Sequence, residues 1–268
     1  MKPEAAGQSQ MTPYRFEARR GARPRAGLLL AAVGLCVSGL FCSSGGSSSV
    51  TEPADAPNTA TLSATAAARS EWPLVVSDDF SKPAHDWETG EEDDRFTTGS
   101  LRIADGKYRW DLKANDGFIW WSRSRNNTSA TDFYAAVEAQ QLTGPDSADY
   151  GLVFRWDRGN FYYFQVSKAG KFALSLYYFE KWSTLVSWTE TSAIRPGEEN
   201  RLAVSGEGPD FTFYINGQRV GEADDDRLPG GTVGVAIELN QAGDKATFEF
   251  DNFEWRAPPG SVSVTPAP

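Results

Sequence analysis

Residues 150–179 read YGLVFRWDRGNFYYFQVSKAGKFALSLYYF. Two turn-rich segments, DRGN at 157–160 and SKAGK at 167–171, divide the stretch into three short runs of alternating character. Strand side chains point alternately to opposite faces, so each run separates into two sets. Leu152, Phe154 and Trp156 oppose Val153 and Arg155. Tyr162, Phe164 and Val166 oppose Phe161, Tyr163 and Gln165, and Leu174, Leu176 and Tyr178 oppose Ala173, Ser175 and Tyr177. Three runs joined this tightly predict an antiparallel meander. The first set of each run belongs in a core and the second on an outer face.

The pattern continues in both directions. SLRIADGKYRWDLKA (100–114) predicts a hairpin with Asp105–Gly106 at its turn. Further period-two runs are DFYAAVEAQQL (132–142), NRLAVSG (200–206), FTFYINGQRV (211–220), TVGVAIEL (232–239) and TFEFDNFEW (247–255). No long segment carries a helical stripe. About eleven or twelve strands without helix predict an all-β, antiparallel two-sheet jelly-roll sandwich. In FYAAVEAQQ (133–141), Glu138 and Gln140 share a parity and are expected on the outer face with Arg155, Tyr163, Gln165 and Tyr177. Trp120, Trp121, Trp182 and Trp188 are either core residues or the lining of a cleft.

The sandwich occupies only part of the 268-residue chain. Residues 1–25 are basic, and residues 26–42, AGLLLAAVGLCVSGLFC, carry no charge. A positive segment before an apolar one predicts an export or anchor sequence with the remainder outside the cytoplasm. Cys36 and Cys42 are the only cysteines, so the sandwich is expected to hold no disulfide and no thiolate metal site. Cys42 followed by SSGGSSS resembles a bacterial lipoprotein lipidation site, although Phe41 stands where such sites want a small residue. A lipid anchor on Cys42, a single membrane span and a cleaved signal all remain open. Residues 43–70, rich in Ser, Thr and Ala, predict a disordered tether, and 258–268 a disordered tail, leaving 71–257 as the sandwich. Six of the 26 Lys and Arg and two of the 36 Asp and Glu lie in 1–42, so the remainder carries 20 against 34, a net charge of −14. Such an acidic domain is not expected to bind nucleic acid. No glycine-rich loop opens a helix, so no nucleotide is expected.

The final run, FEFDNFEW (248–255), carries Glu249, Asp251 and Glu254. Its aromatic parity switches midway, from Phe248 and Phe250 to Phe253 and Trp255. A β-bulge at Asp251–Asn252 repairs this and turns all four aromatics inward. The three acids then share the opposite face, where they allow three readings: a catalytic set, part of a calcium site, or solvent-facing polar positions. The calcium reading pairs Asp79, from SDDF (77–80), with Asp251, because the first and last strands of such sandwiches are expected to be neighbours. His85 is the only histidine and is expected at the surface. It leaves no basis for a zinc site.

DDF (78–80), YGLVFRW, NFYYFQVS, GKFALSLYYF, KWSTLVSW (181–188), FTFYINGQRVGE (211–222), GTVGVAIE (231–238) and FEFDNFEW resemble the concanavalin A-like lectin/glucanase jelly roll. Within it, bacterial laminin-G-like and keto-disaccharide-hydrolase-like domains are the most similar. Glu249, Asp251 and Glu254 also resemble the Glu-x-Asp-x-x-Glu signature of laminarinase-type glucanases. The resemblance implies a sandwich but not one activity. It allows a non-catalytic domain that recognises a carbohydrate or cell-surface polysaccharide on one sheet. It also allows a glycoside hydrolase using Glu249 and Glu254, or a protein-interaction module. Aromatics mixed with polar groups on the outer face favour the first, provided Tyr163 and Tyr177 are exposed for sugar rings to stack on.

Overall fold

The computed structural model describes residues 69–82, 87–123 and 128–264. The basic segment, the apolar segment, Cys42, most of the tether and His85 lie outside them. The strands, in chain order, are β1 (Leu74–Asp78), β2 (Gly90–Asp93), β3 (Thr97–Ala104), β4 (Lys107–Ala114), β5 (Phe118–Arg123), β6 (Thr128–Ala130), β7 (Phe133–Thr143), β8 (Asp149–Asp157) and β9 (Asn160–Ser167). They continue with β10 (Lys171–Tyr178), β11 (Lys181–Glu190), β12 (Asn200–Glu207), β13 (Asp210–Ile215), β14 (Gln218–Asp224), β15 (Thr232–Leu239), β16 (Lys245–Arg256) and β17 (Val262–Val264). Seventeen strands exceed the expected number because several are short or charged, such as GEED in β2 and the three-residue β6 and β17. No helix among the described residues is long and apolar enough to cross a membrane.

Two antiparallel sheets form the sandwich. One runs β14-β13-β12-β7-β16-β4-β3-β2, with β1 also on β16, and the other runs β11-β10-β9-β8-β15-β5. The meander of residues 150–179 supplies β8, β9 and β10 of the six-stranded sheet. The β3–β4 hairpin turns through Asp105 (φ +55°) and Gly106 (φ +72°), both left-handed, as its Asp-Gly turn requires. Between the sheets, Trp110, Trp255, Phe154, Tyr162, Phe164 and Leu174 are buried. Each large apolar side chain buried this way contributes about 1.5–3 kcal/mol.

The expected bulge lies in β16. The register against β7 shifts between Asp251 and Glu254, and Asn252 has φ +46°. Phe248, Phe250, Phe253 and Trp255 are consequently all buried. β1 pairs with β16, so the first and last long strands are neighbours. The tail expected to be disordered from 258 needs correction, because Val262–Val264 form β17 against β6.

Candidate functional site

Along β8, β9, β10 and β15 every second residue points away from the core, and these residues align in rows. One row holds Thr184, Ser175, Tyr163, Val153 and Gly234. The next holds Ala173, Gln165, Gly151, Ala236 and Trp121, and the third Lys171, Ser167, Asp149, Glu238 and Ile119. The middle row is low because Gly151 and Ala236 stand at its centre. Nothing larger fits at Gly151, where a Cβ would lie 2.0 Å from the Phe164 carbonyl oxygen.

The parity reading placed Tyr163, Gln165 and Tyr177 on this outer face correctly, but their exposure was misjudged. Ile119, Trp121, Val153, Phe161, Tyr163, Tyr177 and Ala236 form a second apolar layer, flanked by Trp156 and Trp182. Tyr163 is 0% exposed and Tyr177 7%. Tyr177 packs on Phe161 and Trp182 at centroid distances of 5.5 and 5.0 Å. A stacking surface made of Tyr163 and Tyr177 is therefore ruled out.

Arg155 requires a second correction. A register shift between Phe154 and Asp157, with Arg155 at φ +49°, exchanges the parities of Arg155 and Trp156. Trp156 turns outward beneath the Arg123 guanidinium, 4.2 Å from its ring centroid. Arg155, 1% exposed, donates Nη1–H to Leu228 O (2.8 Å) and Nη2–H to Thr131 O (3.0 Å) and Gly208 O. It joins loops at one end of the sandwich and cannot reach a ligand on the sheet. Glu138 and Gln140 lie on the other sheet altogether, in β7. Glu138 accepts from Asn252 Nδ2 (2.6 Å), and Gln140 donates to Gly197 O (2.7 Å).

What remains on the six-stranded face is a cleft of about 540 Å³. Its lining includes Asp149, Glu238, Gln165, Ser175, Trp182, Thr184, Trp188 and Asn240. Asp149 and Glu238 are direct cross-strand partners. Such partners hold their Cβ atoms about 5 Å apart. Asp149 is buried and accepts a hydrogen bond from Tyr163 Oη–H (2.9 Å). Burial, and then the neighbouring Glu238 charge, push the Asp149 carboxyl well above the usual range. Burial pushes Glu238 up to about 7. Two carboxylates this close in a poorly solvated site hold on to a proton between them at neutral pH. Gln165 donates Nε2–H to Ser175 Oγ (2.8 Å), while its buried Oε1 has no hydrogen-bond partner. Trp188 is 46% exposed at the rim.

Sequence reasoning named Gln165, Trp182 and Trp188 but missed Asp149 and Glu238. Their signal was present: each is an acidic residue on the outward parity of an otherwise apolar strand. Only the pairing of β8 with β15 makes them neighbours.

The acids of the final strand have a different setting. Glu249, Asp251 and Glu254 share one face of β16, as the bulge predicts, in the middle of the nine-stranded sheet. Arg109 binds Glu249 (3.1 Å), Lys107 binds Asp251 (2.7 Å), and Arg201 and Arg256 both bind Glu254. They form a lattice of ion pairs rather than two acids facing each other across a groove. Asp251, Glu138 and Glu199 cluster closely enough to ligate a cation, but the Lys107 ammonium lies 2.7 Å from both Asp251 and Glu199. Asp79 lines a groove of about 710 Å³ with Asp78, Lys82, Arg201 and Glu254, a groove that Asp251 does not line. Its own hydrogen bonds from Ser81 lower its pKa.

No family model and no curated protein matches the chain. Solved structures do. The carbohydrate binding module CBM66 from Bacillus subtilis is similar with a TM-score of 0.50 at 18% identity, over 64% of this chain and 95% of that one. A GlcNAcα1-4Gal-releasing endo-β-galactosidase from Clostridium perfringens is similar with a TM-score of 0.52 at 12% identity, over 71% of this chain and 64% of that one. A structure from the endo-acting O-glycanases that human gut microbiota express to initiate mucin breakdown is similar with a TM-score of 0.51 at 9% identity, over 69% and 99%. At these identities the likeness concerns the fold alone: the chain is an antiparallel jelly-roll β-sandwich.

Proposed function

We propose that the outer face of the six-stranded sheet binds a carbohydrate without cleaving it. One observation carries this reading. Trp188 and Trp182 stand at the rim of a cleft whose floor holds fixed oxygen acceptors short of donors. Sugars match both features, since their ring faces stack on indoles and their hydroxyls donate to carboxylates and amides. The glycan-directed activities of the three similar structures support the same reading. The basic and apolar N-terminal segments support an extracytoplasmic domain held at a membrane, through lipid on Cys42 or a single span.

A glycan array probed with the full chain, with calcium and with a chelator, tests the proposal. Saturable binding to defined glycans that Trp188→Ala weakens about tenfold is expected. Binding lost on chelation would add a cation near Asp79 or Asp251. No binding under either condition would refute the proposal.

Hydrolysis is a second reading, favoured by the facing Asp149 and Glu238 with raised affinities for a proton. Release of reducing ends that Glu238→Gln abolishes and Glu249→Gln spares would establish it.

A further inference from the structure

The donors and acceptors of the cleft are strongly unbalanced. Asp149 receives only the Tyr163 hydroxyl, and Glu238 has no hydrogen-bond partner among the described residues. Lys171 lines the same cleft, but its ammonium lies 3.4 Å from Glu190, on the neighbouring strand. No other described cation lines it. Gln165, 5% exposed, adds an independent sign of a missing partner. Its amide is oriented by the bond from Nε2 to Ser175, which leaves Oε1 buried beneath the cleft floor without a donor. Two carboxylates with one donor between them, the Tyr163 hydroxyl, therefore stand on one floor, with an unpartnered amide oxygen buried beneath it. Elsewhere the chain spends arginine and lysine freely on its carboxylates, as along β16.

We infer that this cleft takes an amine-bearing sugar, its ammonium seated between Asp149 and Glu238 above Gln165, its ring against Trp182 and Trp188. The inference rests on the carbohydrate reading and narrows it. An ammonium brings three donors and no acceptor, which suits a carboxylate pair whose one donor is the Tyr163 hydroxyl. Its charge offsets the pair of buried Asp149 and half-buried Glu238, and indole faces attract cations as well as sugar rings. A uronic acid would add a third carboxylate and be repelled. A hard divalent cation could complete its shell with water on the same carboxylates, so calcium is included as a competing probe.

The test is calorimetric titration of the full chain with a β-1,4-linked glucosamine tetramer, its N-acetylated form and a β-1,4-linked glucose tetramer, with methylammonium and calcium as non-sugar probes. The amine form is expected to bind about tenfold or more tightly than the other two sugars. Binding should release protons, read as a dependence of heat on buffer, because the ammonium displaces the proton the empty pair holds at neutral pH. The charged and titratable groups around that pair are Asp146 before β8, Tyr163 on β9, Lys171 on β10 and Glu190 on β11. Glu238→Gln and Asp149→Asn keep the shape and remove buried charge, so both should fold, as melting curves will verify. Both should erase the preference and the proton release.

Equal affinity for the amine and glucose tetramers would overturn the amine inference and leave carbohydrate binding standing. Binding of methylammonium but of no sugar would overturn the sugar and leave an ammonium site that depends on Asp149. Calcium binding lost in both variants would overturn the amine in favour of a metal.

Discussion

The two sheets both present carboxylates on their outer faces, but they treat them in opposite ways. On the nine-stranded sheet Glu249, Asp251 and Glu254 each meet an arginine or lysine within the chain. On the six-stranded sheet Asp149 and Glu238 meet a tyrosine hydroxyl and each other. The first arrangement is self-sufficient: charges at a half-exposed surface are neutralised locally, at little gain or cost. The second leaves its pair without a cationic partner in a place where ionising both acids costs stability. A cost that folding does not need suggests a task outside folding. The acidic motif that looks catalytic in the sequence is thus neutralised within the chain, and the two acids without a cationic partner are ones the sequence scatters.

Four measurements would break or sharpen this contrast. The largest effect concerns the cation that the cleft does without. Arg155 lies on the same strand as Asp149 but turns away to bind three carbonyls. Arg155→Ala should lower the free energy of unfolding by about 3 kcal/mol or more in a denaturant titration, because three buried acceptors lose their donor. The affinity of the folded protein for glycan should be unchanged. Weakened binding at full stability would instead put Arg155 in the site.

Next comes the response to pH. Glu238 holds its proton up to about 7, against about 4.5 when unfolded, so between these values the folded state binds more protons. Stability is then full below about 4.5 and falls as pH rises through about 7. Glu92, half-buried beside Glu88 and Asp94 and also pushed up to about 7, adds to the decline from the other sheet. Melting between pH 5 and 8 should show the loss, and Glu238→Gln should recover about 2 kcal/mol of it at pH 8. A variant as pH-sensitive as the parent would mean that Glu238 is solvated or paired after all.

A smaller effect is expected at the rim. Trp188→Ala should weaken glycan binding about tenfold, by loss of one stacking face, and leave the melting temperature within a degree or two. The smallest is expected on the opposite face. Glu249→Gln should change stability by less than about 1 kcal/mol and binding not at all. Loss of a glycan-directed activity in that variant would reverse the assignment of the two faces.

The sandwich and even the bulge in β16 were legible because alternation is a local property. Four aromatics that change parity between Phe250 and Phe253 leave few other ways to build a strand. The outer face was legible as a parity but not as an exposure. Tyr163 is covered by neighbours from strands far away in the chain, including Trp121 on β5 and Ala236 on β15. Arg155 escaped its parity because the strand bulges just before the DRGN turn. Alternation alone marks no irregularity where both flanking residues, Phe154 and Trp156, are large and aromatic. Glu138 and Gln140 show a different limit: parity says which way a side chain points, not which sheet carries it. Asp149 and Glu238 were illegible as a pair for the same reason, since their meeting is decided by strand order.

The way the chain enters the sandwich also decides how the protein behaves under force. β1 lies on β16 through Leu74↔Arg256, Val76↔Trp255, Ser77↔Glu254 and Asp78↔Phe253. Just before it, Arg256 Nη1–H and Ala257 N–H bond the carbonyls of Trp72 (2.9 Å) and Pro73 (3.1 Å). A pull on the N-terminal tail along β1 loads all of these links in shear, at once. A pull across β1 opens them one by one, starting from Trp72. The first strand is therefore a fastening whose strength depends on the direction of the load.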